Sequence, residues 1–291
     1  MSSFKKHNYI NTLNQQNLLY KIYKQKEFEE QVQIDFNNIM LKGEKFKQID
    51  NNSKKNFLFS SVGDNTKFDS LWVNDNMDYD IYVIYYGDND EIYSSYKSKV
   101  KFIEKRKGSK YQNFKYFYDK YINIINTYDR YFILDDDIIF NVDDINNMFK
   151  LSKKYNLDIC SPSFTRTSKI SHKITKHKKN ILLSYTNFVE VGCALFNKQA
   201  LHKLMLRLDY NLIAYGIDYL YIMCNGSQKK KSYAIIHKIV CENPRDNKKK
   251  NGREFKKVKN ALYDKRFWFE FAKKNNIATS FITLEYSNIP L

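Results

Sequence analysis

Three consecutive carboxylates, Asp135, Asp136 and Asp137, close the apolar run Tyr131-Phe132-Ile133-Leu134, and Ile138-Ile139-Phe140 follows at once. The apolar residues predict a buried strand, and three acids at its end are costly unless a cation meets them. In an extended chain alternate side chains share a face, so Asp135 and Asp137 are expected on one side and Asp136 on the other. Two carboxylates on one side suit a hard cation, Mg²⁺ or Mn²⁺, that already holds phosphate oxygens. A run of Asp after a strand also suits a turn into a helix. Here Asn141 or Asp143 supplies that helix start separately, which leaves the three acids for chemistry.

Other candidate groups lie on both sides of this stretch. Strands are expected over 56–64 and 80–88, ending in Gly63-Asp64 and Gly87-Asp88, with a short third over 99–103. Glycine lets a ligand approach the backbone, and ligands of open α/β sheets gather at the carboxyl ends of strands. Both Gly-Asp turns can therefore face one site, although either alone also reads as an ordinary turn. The segment Lys105-Arg106-Lys107-Gly108-Ser109-Lys110 is basic and precedes a helix expected to reach about residue 126. Lys107 and Lys110 can meet a diphosphate there, without the spacing of a P-loop. Glu190 is the one acid of an apolar run, 187–196, read as a strand. Asp218 follows Gly216 ahead of an apolar helix, as either the helix cap or a catalytic carboxylate. His237 lies in a late strand, 234–241, where a lone histidine is ordinarily structural.

The elements that must position these groups read as alternating strands and helices. A helix after Asn141 carries Ile145, Met148, Phe149, Ser152 and Tyr155 on one face, with Asp early and Lys late to suit its dipole. Another strand is expected over 158–164. The basic segment 166–179, with His172 and His177, is expected to be an exposed loop over the site or a solvated face. Asn197 caps a helix whose core face is Ala200, Leu201, Leu204, Met205 and Leu208. A final helix over 253–275 is expected to turn Phe255, Val258, Leu262, Phe269 and Ala272 inward, and 279–291 to be a packed tail.

The chain has 291 residues, 43% of them hydrophobic, enough for one large domain or a domain with an extension. Residues 1–52 read as a helical extension in which Phe28, Val32, Phe36, Ile39 and Met40 recur at helical spacing and Gly43 ends the helix. It packs on the main domain, 53–291, or on a second copy in a homo-oligomer; a basic amphipathic membrane anchor is the alternative. The net charge of +17 calls for an anionic partner: nucleotide phosphates, an acidic polysaccharide, nucleic acid or an anionic membrane face. Cys160, Cys193, Cys224 and Cys241 have no CxxC spacing, which argues against structural zinc and for buried, reduced thiols. No signal-like or spanning apolar run is present, so a cytoplasmic location is expected, with peripheral attachment to the inner face of a membrane allowed.

Taken in order, Val62-Gly63-Asp64, Ile84-Tyr85-Tyr86-Gly87-Asp88, Lys107-Gly108-Ser109-Lys110, the Asp135-Asp136-Asp137 strand, Phe188-Val189-Glu190-Val191 and Gly216-Ile217-Asp218 resemble the GT-A glycosyltransferases, in particular a poorly characterised bacterial and plant family of GT-A-like proteins. The resemblance covers roughly residues 55–250. It implies an α/β fold with a GT-A-like mixed, mostly parallel central sheet flanked by helices. It also implies metal-dependent transfer from a nucleotide-sugar donor to a glycan, polysaccharide or lipid-linked acceptor in cell-surface polysaccharide synthesis. Asp135 and Asp136 would lie near the donor's ribose or diphosphate, and Asp137 with Asp135 would hold Mn²⁺ or Mg²⁺. Gly63, Asp64 and Asp88 would line the nucleotide pocket. Asp218, or in second place Glu190, would take the acceptor hydroxyl's proton, which gives inversion. The family places a His near Asn243, where this chain has none, so His237 or Asn243 stands in as third metal ligand. Two other classes compete: a nucleotidyl or phosphoryl transferase with two metals, and a basic nucleic-acid-binding protein. The acid cluster disfavours nucleic acid, because it repels phosphate unless a cation intervenes.

Overall fold

The computed structural model describes residues 3–42, 54–245 and 258–291. The chain begins with a long helix, α1 (Ser3–Leu41), followed by β1 (Asn56–Val62), α2 (Phe68–Leu71), β2 (Asp80–Tyr85), α3 (Asp90–Lys97) and β3 (Phe102–Lys105). Next come α4 (Lys110–Lys120), α5 (Ile122–Ile125), β4 (Arg130–Asp135), α6 (Val142–Lys154), β5 (Ile159–Phe164), β6 (Ile181–Thr186) and β7 (Cys193–Asn197). The remainder is α7 (Lys198–Met205), α8 (Ile217–Asn225), β8 (Tyr233–Cys241), α9 (Asp264–Lys274) and β9 (Glu285–Pro290).

Nine strands form one sheet in the order β3-β2-β1-β4-β7-β5-β8-β6-β9. The first four are parallel; β7 runs antiparallel to both β4 and β5, β5 and β8 are parallel, and β6 and β9 continue antiparallel. The expected mixed α/β sheet flanked by helices is therefore present, but it is not mostly parallel: four of its eight strand pairings are parallel, three of them on the side that carries the aspartates. Central strands bury both faces. Phe57, Phe59, Tyr131 and Ile133 pack towards α4, α7 and α8, whereas Leu58, Phe132 and Leu134 pack towards α2, α3 and α6. Such residues read as continuous apolar runs because parallel strands are covered on both sides. Burial of each large side chain contributes about 1.5–3 kcal/mol.

Several local expectations hold. Asn141 accepts from the Asp144 N–H and caps α6, and Asn197 accepts from the Ala200 N–H and caps α7. Ala200, Leu201, Leu204, Met205 and Leu208 are buried, and all four cysteines are free and buried. In α1, Phe28, Val32 and Phe36 are buried while Met40 is exposed; Gly43 lies outside the described residues.

Other expectations are corrected. The apolar run 187–196 is not one strand: β6 ends at Thr186, residues 187–192 are a loop, and β7 starts at Cys193. The side chain of Thr186 turns the chain there by accepting from the Phe188 N–H and donating to the Phe188 carbonyl. The packed tail contains an edge strand, β9, paired with β6. Among the described residues the last helix begins at Asp264, and it buries Trp268 and Ala272 instead of Leu262 and Phe269; Phe255 lies outside the described residues. Among the described residues no helix is long and apolar enough to cross a membrane.

Candidate active site

Parallel register brings three strand ends together. Ser61 lies beside Asp135, and Val62 beside Tyr85, so Gly63, Tyr86 and Asp136 emerge at one edge. Strand β4 stops at Asp135. Asp136 and Asp137 form a turn, closed by the Ile138 N–H on the Asp135 carbonyl at 3.3 Å. The simple alternation that put Asp135 and Asp137 on one face therefore ends where the acids begin, because a turn has no two-residue period.

The acids at this edge are met by donors. Asp136 Oδ2 accepts from the Gly63 N–H at 3.2 Å and the Tyr86 hydroxyl at 2.7 Å. Its backbone carbonyl accepts from Thr66 Oγ1 at 2.8 Å. Asp64 accepts from the Tyr85 hydroxyl and from the N–H groups of Asp88 and Asn89. Burial works against the Asp64 carboxylate, but these donors outweigh it and hold its pKa below the ordinary value. The two Gly-Asp turns are thus tied to each other through Asp64. Asp88 pairs with Lys107 at 2.6 Å, both largely exposed, and Lys107 also donates to the Gly87 carbonyl at 3.2 Å.

Lys110 differs from Lys107. It opens α4 behind the capping residue Ser109, and its side chain is only 10% exposed. Its ammonium meets Asp135 Oδ1 at 2.8 Å and the carbonyls of Val191 and Gly192 at 2.8 and 3.1 Å. Gly192 permits this approach, since an added Cβ would lie 3.2 Å from Asp135 Oδ2. Lys110 therefore ties the end of β4 to the loop that carries Glu190.

The second pair of acids is treated differently. Glu190 and Asp218 are each only 7% exposed. Burial first, then the charge of Asp218, pushes Glu190 up to about 7, against the Ser171 and Thr175 hydroxyls, which favour its charged form. Burial likewise lifts Asp218 to about 7, opposed by the N–H groups of Tyr219 and of its own residue. Asp218 does not cap α8: Gly216 does, at φ +85°, where a Cβ would run into the Trp268 ring. Asp218 occupies the first turn instead, with His172 Nε2 3.9 Å from its Oδ2. The basic segment after β5 does reach these acids, through Ser171, His172 and Thr175.

His237 is placed elsewhere. A register shift between Pro162↔Ile236 and Ser163↔Val240 displaces it from the regular ladder. Its Nδ1 accepts from the Lys178 N–H at 3.3 Å and its Nε2 lies 2.9 Å from Ser184 Oγ, towards the β6 edge. Burial, then the charges of Lys178 and His177, lowers its pKa to about 4. Both ring nitrogens are thus engaged, one with the Lys178 backbone and one with the Ser184 hydroxyl.

Sequence reasoning missed Thr66, gave Tyr86 no role of its own, and placed the segment of Ser171, His172 and Thr175 over the site without assigning these residues to the acids. It also missed Tyr111, whose buried hydroxyl has no hydrogen-bond partner among the described residues. Burial and then the charges of Asp135 and Asp218 raise its pKa. Only the paired aromatics Tyr85-Tyr86 before Gly87 offered a signal.

Among the described residues no group of three or more His, Cys, Asp and Glu is arranged around a metal position. The oxygen-only donors of Asp135, Asp136 and Asp137 nonetheless fit a hard cation such as Mg²⁺, which keeps waters and takes one or two carboxylates beside substrate phosphates.

This is a mixed α/β fold of the GT-A-like kind. Among solved structures it is similar to Staphylococcus aureus TarS residues 1–349, at 8% identity and TM-score 0.51, over 76% of this chain and 65% of that one. The S. aureus TarS structure (9% identity, TM-score 0.48) is covered over 39% of its length, and that of TarS 1–349 in complex with UDP-GlcNAc (9%, TM-score 0.47) over 66%, each by 76% of this chain. The chain thus spans less than two thirds of the first of these structures. No protein-family model matches the sequence, and no curated protein sequence matches it.

Proposed function

We propose that this chain is a glycosyltransferase that moves a sugar from a nucleotide-sugar donor to a hydroxyl of a glycan, polysaccharide or lipid-linked acceptor, with inversion, in cell-surface polysaccharide synthesis. One observation carries the reading. At a single edge of the sheet, a set of acids is met by donors and lysines, and beside it a buried carboxyl pair has its pKa raised to about 7. Phosphate chemistry needs the first, and proton transfer near neutral pH needs the second. The likeness of the fold to TarS 1–349 accords with it.

In this reading Asp135 and Asp137 hold Mn²⁺ or Mg²⁺, which when bound offsets the charge of the leaving diphosphate. Asp136, Gly63, Asp64 and Asp88 line the nucleotide pocket. Lys107 swings from its exposed pair with Asp88 to the diphosphate, and Lys110 holds the end of β4 against the 187–192 loop. Asp218 removes the acceptor's proton, and Glu190 is the second choice; a pKa near 7 makes either a competent base. Residues 53–291 are the catalytic domain. Residues 1–52 are an extension, packed through Phe28 and Val32 and available for self-association.

A thermal-shift screen of nucleotide sugars with Mn²⁺ or chelator tests this, because a ligand that binds only the folded chain stabilises it. A Tm rise for one nucleotide sugar that disappears in chelator is expected. Stabilisation indifferent to chelator overturns the metal role, and two metals on a nucleoside triphosphate would move the protein to nucleotidyl transfer.

A further inference from the structure

The outward face of α9 is apolar where solvent should favour polar side chains. Leu262 is 96% exposed, Tyr263 51% and Phe269 47%. The 3₁₀ turn Ala261–Tyr263 runs directly into α9, so Leu262, Arg266, Phe269 and Lys273 recur at helical spacing. Lys265, Lys273 and Lys274 are exposed around them. The local acids do not cancel this charge. Glu270 is paired with Arg266 at 2.7 Å, and the Asp264 carboxylate turns inward to the N–H groups of Ala214 and Tyr215.

We propose that this face rests on an anionic lipid surface, with Leu262, Tyr263 and Phe269 in the interfacial layer and the lysines on headgroup phosphates. Exposed apolar side chains ringed by cations are what such a surface selects. A second copy of this chain fits less well, since a symmetric contact would set lysine against lysine. The opposite side of α9 links the face to the site: Trp268 covers Gly216, and Asp264 fixes the loop before it, two residues from Asp218. Docking therefore sets the lipid surface one helix away from the proposed base. Its use there, delivery of a lipid-linked acceptor, rests on the glycosyltransferase reading; the docking itself does not.

Flotation of the full chain with phosphatidylcholine vesicles, with and without phosphatidylglycerol, tests the proposal. The parent is expected to float with the anionic vesicles at low salt, less at high salt, and not with phosphatidylcholine alone. Leu262→Glu and L262E/F269E should lower the bound fraction about tenfold or more, with Tm unchanged. Lys265→Gln with Lys273→Gln should weaken binding and flatten its salt dependence. A parent that stays unbound, or variants that float like the parent, overturn the proposal. So does a parent dimer dissolved by L262E in sedimentation, which assigns the face to a second copy. Intact flotation in a chain without transferase activity would count only against the function.

Discussion

The acids at the ends of β1, β2 and β4 and the pair formed by Glu190 and Asp218 belong to one edge of the sheet but obey opposite electrostatics. Asp64, Asp135 and Asp136 are met by hydroxyls, backbone N–H groups and Lys110. Glu190 and Asp218 are buried near each other with weak compensation, and both are lifted to about 7. The difference is in what covers them. Parallel strands deliver backbone N–H groups and lysine-bearing loops to the first set, whereas helix α8 and the segment around His172 shut water out from the second. A carboxylate meant to stay charged and one meant to exchange a proton need these two surroundings.

Asp218→Asn, which exchanges one carboxylate oxygen for an amide nitrogen, is expected to lower turnover by about 10²–10⁴-fold with donor binding kept, in steady-state transfer assays. Loss of donor binding instead would erase the division between the two sets. Next in size, Gly216→Ala forces a side chain into a left-handed backbone and into the Trp268 ring. It should cost about 2–4 kcal/mol in urea unfolding. Lys110→Met leaves Asp135 and two carbonyls without their cation. About 1–3 kcal/mol is expected, because Asp135 is 44% exposed and water makes good part of the loss. A Lys110→Met protein as stable as the parent would show that the loop holding Glu190 does not depend on this tie.

The smallest effect has a sign that only the buried set allows. Glu190 binds its proton more tightly in the folded than in the unfolded chain. Its contribution to stability is full below the ordinary carboxylate pKa and is lost as pH rises through about 7. Glu190→Gln should therefore match the parent near pH 4 and gain about 1–2 kcal/mol near pH 8 in chemical denaturation. Asp64 runs the other way: its lowered pKa gives stability that is present above the ordinary value and lost as pH falls.

Much of the parallel half was legible. The runs before Gly63, Gly87 and Asp135 are bounded by turn residues, and caps at Asn141 and Asn197 mark helices by a local hydrogen bond. The other half was less so. The run 187–196 is apolar throughout, and periodicity alone does not tell a buried loop from a buried strand. Strand β9 lies at the sheet edge with mostly exposed side chains, so it lacks the alternating pattern of a half-buried strand. The face of α9 was misread because the fit of Trp268 over Gly216, a contact distant in sequence, sets its rotation. Likewise, the contact of His237 with Ser184, beside a register shift in β8, joins residues distant in sequence and leaves no local signal.

The division of labour between the two sets is tested most directly by calorimetric titration of a nucleoside diphosphate, with and without Mn²⁺, into the parent, Asp137→Asn and Asp218→Asn. The account predicts Mn²⁺-dependent binding that Asp137→Asn loses and Asp218→Asn retains. Equal binding by all three proteins, or its loss in Asp218→Asn alone, would contradict it.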